Sequence, residues 1–275
     1  MDLKQETELL LKKNGLKAKK SLGQNFLINE DIIDEMIEKS GICEQDTIIE
    51  IGPGLGSLTA KLLEKAQKVI AIELDHDMAD FLKKRFMLYQ NFELIEEDVL
   101  KVNLQSITNQ YKSVKVVANL PYYITTPIVM KLLEDKLKLE SITVMVQKEV
   151  GERFCASANQ KQYGAISVSI QYYTEPNLII EVPKENFNPV PEVDSCVVQL
   201  VVRKIPPVEL KEKKVFFQLI KAGFSQRRKT ISNSLCGIGK TKEEIMNVLK
   251  ELNIDDKLRA ENLSLEDFAN IANHL

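Results

Sequence analysis

The stretch TIIEIGPGLGS, residues 47–57, decides the fold. Thr47 to Ile51 is a short β-branched run, and it stops at a cluster of glycines. Ser57 to Ala66 (SLTAKLLEKA) follows at once, with Leu58, Leu62 and Leu63 at helical spacing. Strand, glycine turn and helix in that order make a β-α unit, and the same alternation continues downstream. Val69–Leu74 reads as a second strand. Met78–Phe86 reads as an amphipathic helix with Phe81, Leu82 and Phe86 on one face. Phe92–Ile95 is a third strand, closed by Glu96-Glu97-Asp98, and Val114–Ala118 a fourth. Thr126-Pro127 predicts a helix start with proline at its first position, where the missing N–H costs nothing. Ser141–Val146 is a fifth strand. Strands alternating with helices argue for an α/β fold with a mostly parallel sheet.

Beyond residue 150 the pattern loosens. Tyr163–Tyr173 alternates like a strand at Ile166, Val168 and Ile170, yet its length also suits a buried helix. Asn177–Val182 and Ser195–Val202 read as two further strands, joined through Phe187-Asn188-Pro189-Val190-Pro191. After Pro206-Pro207, helices are expected over 213–223, 241–252 and 264–275. Two of these carry capping signals, Thr241 with Glu244 and Ser264 with Asp267. The simplest organisation is a domain over 1–203 and a small all-α domain over 204–275.

Composition narrows the chemistry. The chain has 275 residues, 44% hydrophobic and 28% charged, which suits a globular fold that needs no staple. Cys43, Cys155, Cys196 and Cys236 are too scattered for a zinc cluster or a disulfide framework, and are expected to be buried thiols in a reducing compartment. Only His76 and His274 are present, so a histidine-based triad or a multi-histidine metal site is not expected, and His76 is placed on a surface loop. No apolar run reaches the roughly 18 residues of a membrane helix. The reading is a soluble, cytoplasmic protein with no metal.

The glycine loop points to a ligand. Gly52, Gly54 and Gly56 let the backbone turn sharply and let a ligand approach it closely. The spacing departs from the dinucleotide fingerprint, whose third glycine would fall on Ser57. Glu73, closing the second strand, can take both hydroxyls of a ribose. Asp98, after the third, can accept from an adenine amino group. Glu50, Glu73 and Asp98 all lie at carboxyl ends of strands, where open α/β sheets bind ligands. Adenine and ribose without a pyrophosphate cradle fit S-adenosylmethionine.

Asn119-Leu120-Pro121-Tyr122 directly follows the fourth strand. An adenine N6 amine is a poor nucleophile because its lone pair is delocalised into the ring. Acceptors placed on its two hydrogens localise that pair, and the Asn119 side-chain carbonyl and the Leu120 backbone carbonyl can supply them. Pro121 stiffens the turn and Tyr122 can lie against the base. No strong base is needed; positioning and preorganised dipoles carry the rate.

With these motifs the chain resembles the KsgA-type small-subunit rRNA adenine dimethyltransferases. The resemblance covers nearly the whole length. It rests on KSLGQNFL (20–27), EIGPGLG (50–56), NLPYYITTP (119–127), QKEV (147–150), FNPVPEVDSCVVQL (187–200), FSQRRKTISNSL (224–235) and RAENLS (259–264). It implies a Rossmann-like S-adenosylmethionine-dependent methyltransferase fold, with a seven-stranded, mostly parallel sheet whose seventh strand is antiparallel and a helical C-terminal domain. It also implies that 163–173 is helical. The implied substrate is a pair of adjacent adenosines in the 3′-terminal hairpin loop of 16S rRNA, each methylated twice at N6, and the implied partner is the immature 30S particle, met by a monomer. By motif position Asn25 and Leu27 would cover the cofactor, Gly52 would contact its methionine part, Glu73 the ribose and Asp98 the adenine. Asn119 would stand between cofactor and target. Phe187 would sandwich the target base with Tyr122, as suits a base extruded before chemistry.

The net charge of −3 hides an uneven distribution. Eight acids against Lys39 fill 30–50, whereas six lysines against Glu6 and Glu8 fill 4–20, and Arg227-Arg228-Lys229 is the densest basic run. Lys221, Arg227, Arg228 and Lys229 are therefore expected to touch RNA phosphate, a contact that positions without reading sequence. Two rival readings share parts of this pattern: an Erm-like methyltransferase of large-subunit rRNA, and a ribosome-assembly factor without catalysis.

Overall fold

The computed structural model describes residues 2–226 and 228–275. In chain order it begins with α1 (Leu3–Asn14), β1 (Phe26–Leu27), α2 (Glu30–Lys39), β2 (Thr47–Ile51), α3 (Ser57–Lys65), β3 (Lys68–Glu73) and α4 (His76–Arg85). There follow β4 (Phe92–Glu96), α5 (Leu104–Thr108), β5 (Val114–Asn119), α6 (Thr125–Glu134), β6 (Ser141–Gln147) and α7 (Lys148–Cys155). The remainder is α8 (Ala165–Tyr173), β7 (Thr174–Val182), β8 (Phe187–Asn188), β9 (Ser195–Val202), α9 (Lys213–Phe224), α10 (Ile231–Ser234), α11 (Lys242–Glu251) and α12 (Leu265–His274).

The main sheet has seven strands in the order β4-β3-β2-β5-β6-β9-β7. β2 pairs parallel with β3 and with β5, β3 with β4 and β5 with β6, while β9 runs antiparallel to β6. β2 and β6 are buried along nearly their whole length, so they read as continuous apolar runs. Strand order reverses between β2 and β5, the switch point where such sheets hold ligands. One face of the sheet is covered by Ile33, Met36, Ile37, Leu58, Leu62 and their neighbours.

The chain divides into two compact units, Met1–Gly151 with Asn177–Val202, and Glu152–Pro176 with Arg203–Leu275. The sequence boundary near 204 is present, but the C-terminal unit also takes residues 152–176, outside the all-α stretch expected. Its core is built from Val168, Phe216, Leu219, Leu249, Phe268 and Ile271, among others.

Three local expectations change. Residues 165–173 form a helix, as the family resemblance implies and against the strand alternation. The Ser167 hydroxyl accepts from the Gly164 N–H at 3.1 Å, and the Thr174 hydroxyl bonds back to Ile170 O at 2.9 Å. Pro127 is the third helical residue of α6, not the first, which still leaves its missing N–H inside the unpaired first turn. Of the four thiols only Cys196 is buried, while Cys43 and Cys236 are exposed. The two capping boxes form as expected, Thr241 with Glu244 and Ser264 with Asp267. No described helix is long and apolar enough to cross a membrane.

Candidate active site

A cleft of about 1120 Å³ opens at the carboxyl ends of β2, β3 and β5. The glycine loop forms its floor. Gly52, Gly54 and Gly56 take φ of +68°, +57° and +79°, a region glycine enters freely. At Gly54 the Phe26 ring packs against the backbone: an added Cβ would stand 3.0 Å from it. The Gly52 N–H is tied to Ile72 O at 2.9 Å, fixing the turn to the neighbouring strand.

Glu73 ends β3 and is 5% exposed. Its Oε2 accepts from the Gly54 N–H at 3.2 Å and its Oε1 from the Asp75 N–H at 2.9 Å. Burial pushes its carboxyl up from the usual range, against the pull of those N–H groups. A carboxylate has room for about four hydrogen bonds, so a ribose diol can still be accepted there. Asp98 lines the same cleft, with Oδ1 accepting from the Leu100 N–H at 2.9 Å, which fixes the side chain in a tight turn. Asn25 and Leu27 close the cleft from the N-terminal side. Glycine loop, buried carboxylate and second acid thus fit an adenosine-bearing sulfonium cofactor.

Asn119 ends β5 and lines the cleft together with Leu120, Pro121 and Tyr122. The Asn119 Nδ2 donates to Asn25 O at 3.2 Å. That bond commits the amide nitrogen and so leaves Oδ1 as the acceptor. The Leu120 N–H donates to Met145 O at 3.1 Å, anchoring the turn to β6. The Tyr122 hydroxyl shares a hydrogen bond of 2.7 Å with the buried Ser195 Oγ, and burial pushes that hydroxyl's pKa up. The sequence-predicted acceptors and the cofactor acids therefore meet in one cleft.

Phe187 does not join them in this conformation. It is 1% exposed, pairs through β8 with Leu27 of β1 and packs in the sheet core, away from the cleft lining. Of the expected RNA-contacting residues, Lys221, Arg228 and Lys229 are exposed on the C-terminal unit, and Arg227 lies outside the described residues. His76 begins α4, not a loop. Its Nδ1 stands 2.6 Å from Glu96 Oε1 and its Nε2 3.6 Å from Asp80, a group with metal-ligand spacing. Lys83 already engages the same two carboxylates, at 2.7 and 3.4 Å.

Sequence reading missed two contributors. Glu50 was placed at a strand end, but its burial (1% exposed) was not foreseen. It accepts from the Thr59 hydroxyl at 2.6 Å, and burial, reinforced by nearby Glu73, pushes its carboxyl up to about 8. Met145 supports the Asn119–Tyr122 turn through its carbonyl; its only sequence signal is its place near the end of the strand beside Asn119.

A family model described as ribosomal RNA adenine dimethylase matches residues 15–275. The ribosomal RNA small subunit methyltransferase A of Bacillus licheniformis is 44% identical over 277 residues, covering 98% of this chain and 95% of its own. The protein of the same name from Clostridium botulinum strain Okra is 44% identical over 266 residues and covers 97% of both. Among solved structures, a dimethyladenosine transferase from Plasmodium falciparum matches with a TM-score of 0.77 at 28% identity, over 90% of this chain and 95% of its own. The 23S rRNA methyltransferase ErmE matches with a TM-score of 0.72 at 22% identity, over 91% and 99%, a likeness of fold.

Proposed function

This chain belongs to the ribosomal RNA adenine dimethylase family, and from that premise we propose that it methylates N6 of two adjacent adenosines in the 3′-terminal hairpin of 16S rRNA. S-adenosylmethionine is the methyl donor, and the product at each position is N6,N6-dimethyladenosine. The observation that carries the reading is the Asn119 amide. Its nitrogen is held by Asn25 O, which supports a role for its carbonyl oxygen as a fixed acceptor.

When bound, the cofactor supplies an electrophilic methyl on a sulfonium, which is a good leaving group. The chain's own residues do the rest. Glu73 and Asp98 hold the adenosine end, and the backbone at Gly52 lies beside the methionine end. Asn119 Oδ1 and the Leu120 carbonyl accept from the target amine, drawing its lone pair out of the ring. Neither is basic enough to keep a proton, so the amine proton leaves to solvent. Such preorganised dipoles act at full strength in a water-poor cleft. Tyr122, steadied by Ser195, offers a ring face to the extruded base. Phe187 can complete a sandwich only if β8 lifts from its packed position.

The unit of residues 1–151 and 177–202 is the methyltransferase domain, and the other unit contacts RNA through Lys221, Arg227, Arg228 and Lys229. The partner is the immature 30S particle, met in the cytoplasm by a monomer. The test uses 30S and 50S particles from a strain lacking this protein, with labelled cofactor. Label in the 30S rRNA is expected; label confined to the 50S rRNA would contradict the reading.

A further inference from the structure

Residues 22–27 line the cofactor cleft, and two of the residues that fasten this segment, Lys19 and Asp75, fall outside the sequence motifs of the site. Lys19 Nζ lies 2.6 Å from Asp75 Oδ1 and 2.8 Å from Asp77 Oδ2. Gln24 Nε2 donates to Asp75 Oδ2 at 3.0 Å, and Gln24 Oε1 accepts from the Lys19 N–H at 2.8 Å. Gln24 thus closes the turn on itself while holding the same carboxylate as Lys19. The Asp75 side chain is fully buried, whereas that of Lys19 is 42% exposed. Burial alone would raise the Asp75 carboxyl, but Lys19 and Gln24 outweigh it and hold it below the usual range.

Both ends of the site hang on this fastening. At one end the Asp75 N–H donates to Glu73, the ribose acceptor. At the other the segment presents Asn25 O, which orients the Asn119 amide. Between them Gly23 lies against the ring of Tyr123, where an added Cβ would stand 3.2 Å from Cδ1. Phe26 fills the space over Gly54. Leu22 through Leu27 all line the cleft, so movement of this wall would widen it.

We propose that Lys19, Gln24 and Asp75 are positioning residues, a latch that holds segment 19–27 closed over the cofactor and couples cofactor retention to the orientation of Asn119. The proposal rests on the cofactor reading given above. It asks of the latch only that it be stronger closed than open; Asp75 is buried while Lys19 is partly exposed, and losing the hydrogen bonds that Lys19 and Gln24 give to this buried carboxylate costs about tenfold in the closed population.

The test is the double variant Lys19→Met with Gln24→Leu, with Asp75→Asn as a second variant that keeps an acceptor at the start of α4. Asparagine caps helices as well as aspartate does. Two measurements suffice: amide exchange across 19–27 in the ligand-free enzyme, and the dissociation rate of S-adenosylhomocysteine. Both variants are expected to exchange this segment at least tenfold faster, with the strand amides of β2 and β5 unchanged. They are expected to release the ligand about tenfold faster. Lys19→Arg should restore both values towards wild type. Unchanged exchange, or faster exchange without faster release, would overturn the proposal. Neither readout involves RNA, so failure of the latch leaves the rRNA reading standing. Failure of the wild-type protein to bind S-adenosylhomocysteine would instead sink the cofactor reading.

Discussion

At the residue scale the site is built from groups whose freedom has been removed. The Asn119 nitrogen is committed to Asn25, and Glu73 is held by two backbone N–H groups. Glu50 is the outlier, since its carboxyl is buried with one hydroxyl partner and pushed up to about 8. An acid with a raised folded pKa binds more protons folded than unfolded. Its stabilising contribution is therefore full below its unfolded value near 4.5 and is lost as pH rises through about 8. The Glu50→Gln variant should lack this loss. The Tm of wild type relative to the variant is expected to fall between pH 5 and 8 and then level off, in parallel thermal melts; a flat difference would place the Glu50 pKa elsewhere. Glu73 and Asn119 were legible in the sequence as strand ends and Asp98 as the turn after a strand, each carrying a group suited to the role proposed for it. Lys19 and Gln24 were not legible as Asp75's partners, because 56 and 51 residues separate them in the chain and no spacing rule joins them.

At the element scale the buried strands were plain, since a buried strand is a continuous apolar run between turn signals. Thr47–Ile51 and Ser195–Val202 agree with the sequence reading at both ends. The stretch 165–173 was not, because it is apolar on most sides and its period does not separate strand from helix. Thr174 bonds back to Ile170 O within the helix, and Ser167 donates to Arg153 O, 14 residues upstream, a contact no local spacing rule gives. The entry to the sheet adds an ion pair the sequence did not announce. Asp46, before β2, binds Lys115 of β5 at 2.7 Å, the Ser113 hydroxyl and the Cys43 N–H, and Lys115 also donates to Gly41 O at 2.6 Å. The two side chains are 1% and 12% exposed. Lys115→Met leaves the buried carboxylate without its cation and is expected to cost about 3 kcal/mol, as broken buried pairs do. Urea unfolding at neutral pH measures this. A loss under about 0.5 kcal/mol would show that the pair acts like an exposed one.

At the scale of the whole molecule, a net charge of −3 is compatible with an RNA partner because acids and bases are segregated along the chain. The acids from Glu30 onward are largely carried on α2, where Lys61 bridges Glu30 and Asp34. Lys221, Arg228 and Lys229 stand exposed on the C-terminal unit. Changing Lys221 and Arg228 together to alanine is expected to weaken binding to 30S particles and to lower the salt slope by about one to two, in filter binding across a salt series. An unchanged slope would place the RNA surface elsewhere. The division into units was only half legible, because the return of 152–176 to the C-terminal unit depends on long-range packing.

The central claim is that Asn119 makes an adenine amine of small-subunit rRNA reactive. Nucleoside mass spectrometry of 16S rRNA tests it most directly, after 30S particles from a strain lacking this protein are incubated with S-adenosylmethionine and either wild type or Asn119→Ala. Wild type is expected to yield N6,N6-dimethyladenosine at two adjacent positions. The variant, folded and still able to bind S-adenosylhomocysteine, should be slower by about 10²–10³-fold, the usual loss when one preorganised dipole is removed. Equal product from the variant, or dimethyladenosine found only in 23S rRNA, would contradict the account.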